Sequence, residues 1–143
     1  MKTLSEGAEA KIYSATIFNV RMVIKKRYAK PYRVAPLDLM LRRTRTKKEA
    51  RIMSAAKNAG VNVPSIYAVG KDEIYMEFIE GRLMRDVVLD KAALAKAGIE
   101  LAKLHKIGIA HGDFTPANIM LSNGEVWIID FGLAEPNAGI EEK

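Results

Sequence analysis

Residues 111–132 read HGDFTPANIMLSNGEVWIIDFG, and this stretch decides how the rest of the chain is interpreted. Two β-prone runs, IML and VWII, flank Asn123-Gly124, the dipeptide that most strongly indicates a two-residue hairpin turn. Because a hairpin folds its two ends together, we expect Asn118 and Asp130 to lie side by side. Their amide and carboxylate oxygens suit a hard cation such as Mg²⁺, which keeps several waters and binds phosphates. The stretch therefore predicts a metal site built by a turn.

A further acidic residue, Asp113, precedes the hairpin. It lies five residues before Asn118, in a loop that begins with His111-Gly112. The catalytic loop of protein kinases has the same step from Asp to Asn and is followed by Asp-Phe-Gly, which this chain has at 130–132. Each piece alone has an ordinary explanation, since a His before Gly is often a turn residue. Their occurrence in this order indicates phosphoryl-transfer chemistry.

The composition narrows the class of protein. With 143 residues the chain is long enough for one domain with its own core. The absence of cysteine excludes disulfides, thiolate metal sites and thiol nucleophiles. No apolar run approaches the roughly 20 residues of a membrane span, and the N-terminus lacks the pattern of a signal peptide. We therefore expect a cytoplasmic protein with no membrane association.

Positive charge is concentrated in residues 21–51. The chain has a net charge of +6, and this segment contains 12 lysine and arginine residues against two acidic ones. Such asymmetry is typical of a face that meets phosphate groups or an acidic partner. A solvated charged helix explains it about equally well.

Two features near the N-terminus suit a nucleotide. Gly7 and Ala8 are small enough for a phosphate to approach the backbone closely, although a plain hairpin turn explains Gly7 equally well. The run RMVIK ends in Lys25 and is similar to the V-A-I-K strand of kinases, whose lysine pairs with nucleotide phosphates. Lys25 shares a strand face with Val23, which favours it over Lys26. The alternative for Lys25 is an edge-strand lysine that discourages aggregation.

Glu49 is almost the only acid in the basic helix predicted for residues 37–58. It could form an ordinary surface pair with a neighbouring lysine. Alternatively, it could reach across to Lys25, since in kinases a pair of this kind positions the phosphate-binding lysine.

Hydrophobic periodicity predicts blocks of strands and helices. A break is expected at 44–46 in the long helix, and Pro36 is expected to belong to a loop at 32–36. Strands are predicted at 1–5, 11–18, 21–25, 65–69, 73–78 and in the two arms of the hairpin, and helices at 37–58, 83–89 and 91–106. The predicted buried face of the last helix consists of Leu94, Ala97, Leu101 and Leu104. This order indicates an α+β fold with two lobes.

The residues in kinase order are Lys25, Glu49, Asp113, Asn118 and Asp130, and with them the chain resembles the protein kinase-like superfamily. More narrowly, it resembles the small kinase of the KEOPS complex of archaea and eukaryotes. The segments that carry this closer resemblance are EGAEAKIY at 6–13, VIKKRYAKPYR at 23–33, RRTRTKKEAR at 42–51, MEFIEG at 76–81, HGDFTPANIML at 111–121 and IIDFGLA at 128–134.

The resemblance implies a compact bilobal kinase-like domain over residues 1–143. Its N-lobe, about 1–78, would contain an antiparallel sheet and a helix. A hinge at about 78–81 would lead to a reduced, mainly helical C-lobe, about 82–143, that carries the catalytic hairpin.

The resemblance also implies a role for each site residue. Asp113 would act on the incoming nucleophile as the catalytic residue, together with Lys25, and Asn118 and Asp130 would hold Mg²⁺. Glu49 would pair with Lys25. The further contacts to ATP would come from Gly7, Ala8, Glu9, Met76, Glu77 and Ile79. The reaction would be in-line transfer of the γ-phosphoryl group, with positioning and charge stabilisation supplying most of the catalysis.

The partners implied by the resemblance are those of a tRNA-modifying complex that makes threonylcarbamoyladenosine. They are the threonylcarbamoyl-transferring subunit and a small subunit on the N-lobe, and the basic segment 21–51 is a possible tRNA contact. The activity would be that of a serine/threonine kinase and an ATPase.

Departures from general kinases set further expectations. Gly112 replaces the Arg that senses a phosphorylated activation loop, and Thr115 replaces a lysine of serine/threonine kinases. No A-P-E segment follows Gly132. We expect a further helix and a basic tail beyond Lys143 in the family, so the chain could be truncated.

Two other functions fit parts of the sequence. Small-molecule phosphotransferases of the antibiotic-modifying type share H-G-D and a downstream Asn, but they need a helical substrate subdomain for which this length leaves no room. A non-catalytic nucleotide-binding or tRNA-binding scaffold would explain the basic segment.

Overall fold

The computed structural model describes residues 1–88 and 90–136. The chain divides into two compact units. The first unit consists of Met1–Arg51 and Ser65–Phe78, and the second of Ile52–Pro64 and Ile79–Lys143. Within the described residues, no helix is both long and apolar enough to cross a membrane. The single domain and the lobe boundaries inferred from the sequence stay predictions.

The first unit is built on a five-stranded antiparallel sheet. Its strands are β1 (Lys2–Glu6), β2 (Ala10–Ile17), β3 (Val20–Arg27), β4 (Ile66–Val69) and β5 (Glu73–Glu77), in the spatial order β1-β2-β3-β5-β4. All five had been predicted to within a few residues. Phe18 and Asn19 join β2 to β3 with φ of 50° and 63°, the left-handed pair typical of a type I′ turn.

The helix α1 (Ala35–Asn58) is continuous, and the predicted break at 44–46 is wrong. Thr46 is fully buried, and its hydroxyl accepts a hydrogen bond from Arg27 Nη1 at 3.3 Å. This tertiary contact outweighs the weak helix propensity of threonine. Pro36 is also not a loop residue, because it lies in the first turn of α1, where its missing N–H has no helical partner to lose.

The second unit contains the helix α2 and two small sheets. Asp90 caps α2 (Lys91–Lys106) by accepting a hydrogen bond from Ala93 N at 2.7 Å, and the bounds of α2 agree with the prediction. One sheet has the order β6 (Arg82–Leu83), β8 (Ile119–Ser122), β9 (Glu125–Ile128), and the other pairs β7 (Ile109–Ala110) with β10 (Glu135–Pro136).

The helix predicted for 83–89 is largely wrong. Only Met84–Asp86 form a single 3₁₀ turn, because Arg82–Leu83 are paired as a strand with β8. Leu89 lies outside the described residues. Residues 137–143, the end of the chain beyond which a further helix and a basic tail are expected, also lie outside them.

The buried face of α2 also differs from the prediction. Ala97 and Leu104 are buried, but Leu94 is 53% exposed. Glu100 is buried instead, because its carboxylate accepts a hydrogen bond from Asn62 N at 2.6 Å and pairs with Lys103 at 2.8 Å. The apolar core of this unit contains Met84, Ala97, Ile119 and Val126.

Candidate active site

The hairpin predicted from residues 111–132 is present as β8 and β9. Asn123 and Gly124 have φ of 51° and 76°, and the register pairs Ile119 with Ile128. Beyond the last pair, Ile129 N donates to Asn118 O at 3.1 Å. This bond closes the open end of the hairpin next to Asp130, so the turn positions the two predicted metal ligands.

The side chain of Asn118 is also hydrogen-bonded to Asp113. Its amide nitrogen donates to both the backbone oxygen and Oδ2 of Asp113, each at 2.9 Å. With the nitrogen engaged in this way, Oδ1 is the atom that Asn118 can offer to a cation. The predicted five-residue step between the two side chains therefore corresponds to a direct contact.

Asp130 is oriented by the backbone that follows it, since its Oδ1 accepts a hydrogen bond from Gly132 N at 2.8 Å. Among the residues that the structure describes, no group of three His, Asp or Glu side chains could hold a metal by itself. An amide and a carboxylate make a sparse ligand set, which suits Mg²⁺ because this ion keeps waters and binds substrate phosphates. The assignment of Asn118 and Asp130 as metal ligands stays a prediction.

His111 is a core residue rather than a turn residue. It is 3% exposed, and its ring meets the rings of Phe114 and Phe131 edge-on at centroid distances of 5.7 and 5.1 Å. Its Nδ1 accepts a hydrogen bond from Asp113 N at 3.2 Å. The imidazole thereby connects the loop that carries Asp113 to the Asp-Phe-Gly segment.

Gly112 explains why the arginine of general kinases is missing here. It has a φ of +85°, and a Cβ added to it would lie 2.2 Å from the carbonyl oxygen of Leu133. No side chain fits this approach of two backbone segments.

In the first unit, Lys25 and Glu49 form the predicted ion pair. Lys25 Nζ lies 2.8 Å from Glu49 Oε2, and both side chains are buried. The next residue, Lys26, is exposed. The alternation of strand faces therefore indicated correctly which lysine pairs with Glu49.

Arg27 was not identified from the sequence. Its Nη2 lies 2.9 Å from Glu49 Oε1, and its side chain is 4% exposed. The only signal was its position two residues after Lys25, on the same face of β3, and it is one of 12 cations in the basic segment.

Residues 7–9 form a tight turn between β1 and β2. Gly7 N donates to Ala10 O at 2.9 Å, Gly7 O accepts from the Tyr28 hydroxyl at 2.6 Å, and Glu9 pairs with Arg45. A Cβ on Gly7 would meet Ala10 O at 3.6 Å, an ordinary contact. The contacts of Gly7, Ala8 and Glu9 with phosphate stay a prediction.

Met76, Glu77 and Ile79 are predicted to contact ATP, at its adenine by analogy with kinases. Met76 and Ile79 are buried. Glu77 exchanges hydrogen bonds with Ser65, through its backbone N at 2.8 Å and its Oε1 at 3.0 Å. Their role toward adenine stays a prediction.

Much of the charge in the basic segment is used inside the first unit. Of its 12 cations, Lys25 and Arg27 pair with Glu49, Arg33 and Arg42 with Asp38, and Arg45 with Glu9. A hydrogen bond from Lys30 N, opposed by burial and helped by Arg42 and Arg33, lowers the pKa of Asp38 from its ordinary value of 3.8. These five cations therefore contribute to the fold of the first unit.

Comparison with known proteins identifies the family to which this chain belongs. The RIO1 family, described as the RIO domain, matches residues 5–137. The chain is 41% identical over 156 residues to the KEOPS complex subunit Bud32 of Pyrococcus abyssi, covering 99% of this chain and 70% of the relative. A "probable serine/threonine-protein kinase BUD32 homolog" of Archaeoglobus fulgidus is 48% identical over 113 residues, which are 79% of this chain and 57% of the relative.

A longer relative also matches. A "probable bifunctional tRNA threonylcarbamoyladenosine biosynthesis protein" of Methanobrevibacter smithii is 39% identical over 98% of this chain, which is 26% of that relative. The chain thus spans between 26% and 70% of these relatives' lengths.

Solved structures identify the fold. The Rio2 kinase of Chaetomium thermophilum superposes with a TM-score of 0.82 at 22% identity, covering 99% of this chain and 53% of that one. The ADP/Mg²⁺-phosphoaspartate complex of the same kinase gives 0.79 at 21% identity. The predicted α+β, protein kinase-like fold is confirmed.

Proposed function

Because this chain belongs to the RIO-domain family of atypical kinases, we propose that it is an ATP- and Mg²⁺-dependent phosphotransferase with ATPase activity. The observation that carries the proposal is the buried ion pair between Lys25 and Glu49, 2.8 Å apart. Burying a charged pair is expensive and does little for stability by itself, so its presence favours a role in holding a lysine for an anion.

The proposal assigns a chemical role to each predicted site residue. Lys25 binds phosphate oxygens while Glu49 keeps it in place, and Asp113 orients the attacking hydroxyl or water and accepts its proton. The hydrogen bonds from Asn118 to Asp113 support this role of Asp113, because they fix the carboxylate. Gly7, Ala8 and Glu9 are assigned to the phosphates, and Met76, Glu77 and Ile79 to adenine.

The donor set at the hairpin fits Mg²⁺. Asn118 and Asp130 offer oxygen atoms, and the backbone of Gly132 and the side chain of Asp113 fix their orientation. Mg²⁺ bound there would neutralise negative charge on the phosphates. The protein contributes the placement of the two oxygens.

The physiological setting that we propose is a KEOPS complex. Relatives that cover most of this chain are named as its Bud32 subunit or as tRNA threonylcarbamoyladenosine biosynthesis proteins. We propose that this chain supports the same tRNA modification in the cytoplasm, together with a threonylcarbamoyl-transferring subunit and a small subunit bound to the N-terminal region.

The catalytic proposal is tested with Asp113→Asn. We expect ATP hydrolysis and autophosphorylation to fall about 10²-fold to 10⁴-fold, the usual effect of removing a general base. Asp86→Asn is the matched control, because Asp86 is an exposed aspartate of the same unit that pairs only with exposed Arg85 among the described contacts. Equal turnover in wild type and Asp113→Asn would refute the proposal.

The proposed setting is tested separately. ATP turnover of the wild type is measured alone, with the threonylcarbamoyl-transferring subunit, and with that subunit and tRNA. We expect turnover to rise when the subunit is added. Phosphorylation of a small alcohol without any effect of the subunit would instead favour a small-molecule phosphotransferase.

A further inference from the structure

Arg27 shares Glu49 with the candidate phosphate-binding lysine. Lys25 Nζ lies 2.8 Å from Oε2, and Arg27 Nη2 lies 2.9 Å from Oε1. The three side chains are 8%, 4% and 2% exposed for Lys25, Arg27 and Glu49. One carboxylate is thus held from both of its oxygens by two cations.

The geometry follows from the two elements involved. Lys25 and Arg27 are two residues apart on β3 and share a face of the sheet. Thr46 and Glu49 are three apart on α1 and share a face of the helix. Arg27 Nη1 also donates to the Thr46 hydroxyl at 3.3 Å, so the guanidinium is attached to α1 at two points.

Arginine is suited to this position in a way that lysine is not. Its planar fork can reach the carboxylate and the hydroxyl together, and it stays protonated at any physiological pH. An ammonium group has three donors, so Lys25 can keep one on Glu49 and turn others toward phosphate oxygens. Glu49 then still has Arg27 as a counter-charge, which a buried carboxylate requires.

We propose that Arg27 is a positioning residue for phosphoryl transfer, which fixes Glu49 and, through Glu49, the ammonium group of Lys25. The inference rests on the proposed function for its consequence, since the lysine is taken to bind ATP phosphates. Without Arg27, Oε1 of Glu49 loses the guanidinium donor, and the ammonium group of Lys25 is drawn toward that oxygen and away from the phosphates.

The experiment compares Arg27→Met, Arg27→Lys and Thr46→Val with wild type and Asp113→Asn. We expect kcat for ATP hydrolysis to fall about 10-fold to 100-fold in Arg27→Met, because a small misplacement of a catalytic group has effects of this size. KM for ATP should change less than about threefold. Arg27→Lys should recover only part of the loss, and Thr46→Val should show a smaller loss in the same direction.

A double variant separates positioning from general damage. If Arg27 acts through Glu49, then Arg27→Met combined with Glu49→Gln should lose no more activity than the worse of the two single variants. Arg33→Met is the matched control, since it removes another arginine paired with a carboxylate of the first unit, Asp38. It should lower thermal stability and leave kcat unchanged.

A second readout does not depend on turnover. The ¹³Cε signal of Lys25 in lysine-labelled protein should shift in Arg27→Met and in Thr46→Val, and should stay in place in Arg33→Met. If wild type turns over ATP no faster than Asp113→Asn, the proposed function is wrong, and the Lys25 signal alone decides about Arg27. An unchanged Lys25 signal in Arg27→Met, or a kcat equal to that of wild type, would overturn the inference.

Discussion

Gly112 and Gly98 have opposite surroundings, although both are glycines of the second unit. The φ of Gly112 is +85°, and an added Cβ would lie 2.2 Å from Leu133 O. A Cβ at Gly98, in the middle of α2, would have no neighbouring atom within 4 Å. A side chain therefore does not fit at position 112, whereas position 98 has room for one.

Alanine at these two positions should therefore act in opposite directions. Gly112→Ala should destabilise the protein by at least about 1–3 kcal/mol, because the left-handed conformation and the backbone clash are both unfavourable. Gly98→Ala should stabilise it by about 0.5–1 kcal/mol, the usual gain in a helix interior. Urea unfolding measures both, and equal shifts in midpoint would contradict the close approach to Leu133.

Single residues were predictable when their type was unusual for their position. Glu49 stood out as an acid in a basic helix, and Asp113, Asn118 and Asp130 stood out by their spacing. Arg27 could not be identified in this way, because its carboxylate partner lies 22 residues away in the sequence. One arginine in a segment with many cations is also not unusual for its position. Tertiary contacts of this kind leave no trace in local sequence.

At the scale of elements, the start of α1 depends on Asp38. This residue is buried, accepts a hydrogen bond from Lys30 N at 3.0 Å and pairs with Arg42 at 2.7 Å. It ties the segment before the helix to the first turns of the helix. A carboxylate in this position must stay ionised.

The stability of the fold should therefore depend on pH through Asp38. Its pKa is lower in the folded protein, so its contribution is complete above the unfolded value and is lost as pH falls through the folded value. Thermal midpoints measured from pH 6 down to pH 3 should fall less steeply for Asp38→Asn than for wild type. Parallel curves would show that other carboxylates cause the acid sensitivity.

Helix α2 contains a buried acid where an apolar face was expected. Glu100→Ala should destabilise the protein by about 1–3 kcal/mol, because the backbone N–H of Asn62 would lose its buried acceptor. Lys103→Ala should cost less than about 1 kcal/mol, since this lysine is 40% exposed. The two free energies of unfolding are compared in urea. Equal values would mean that the ion pair, rather than Asn62, determines the role of Glu100.

Elements were predicted well where the signal is local. The hairpin follows from Asn123-Gly124, and α2 follows from the spacing of its apolar residues. Both signals act within a few residues. The supposed break in α1 and the helix at 83–89 were wrong because distant partners decide both, namely Arg27 for Thr46 and β8 for Arg82–Leu83.

At the scale of the whole molecule, the basic segment 21–51 has two sets of cations. Five of them are engaged in the ion pairs described above, whereas Arg21, Lys26, Lys47 and Arg51 are exposed. Only exposed cations can release counterions when a polyanion binds. The tRNA contact expected for this segment would therefore depend mainly on the exposed cations.

Replacing Lys26, Lys47 and Arg51 together by alanine should weaken tRNA binding and reduce the salt dependence of log K by about 2 to 3. The control replaces Lys2, Lys91 and Lys106, which are exposed lysines outside the segment, and should have a smaller effect. Filter binding at several salt concentrations gives both slopes. Identical slopes for the two triple variants would exclude the basic segment as the tRNA contact.

The close approach of Gly112 to Leu133 also limits how regulation of this protein can evolve. In the kinases that the chain resembles, an arginine at this position lets a phosphorylated loop switch activity. Here an arginine at position 112 would not fit, because the backbone of the neighbouring segment already occupies the space of the first side-chain carbon. Gaining such a switch would require both segments to move apart at once. A phosphorylation switch of that kind therefore cannot be gained by changing residue 112 alone.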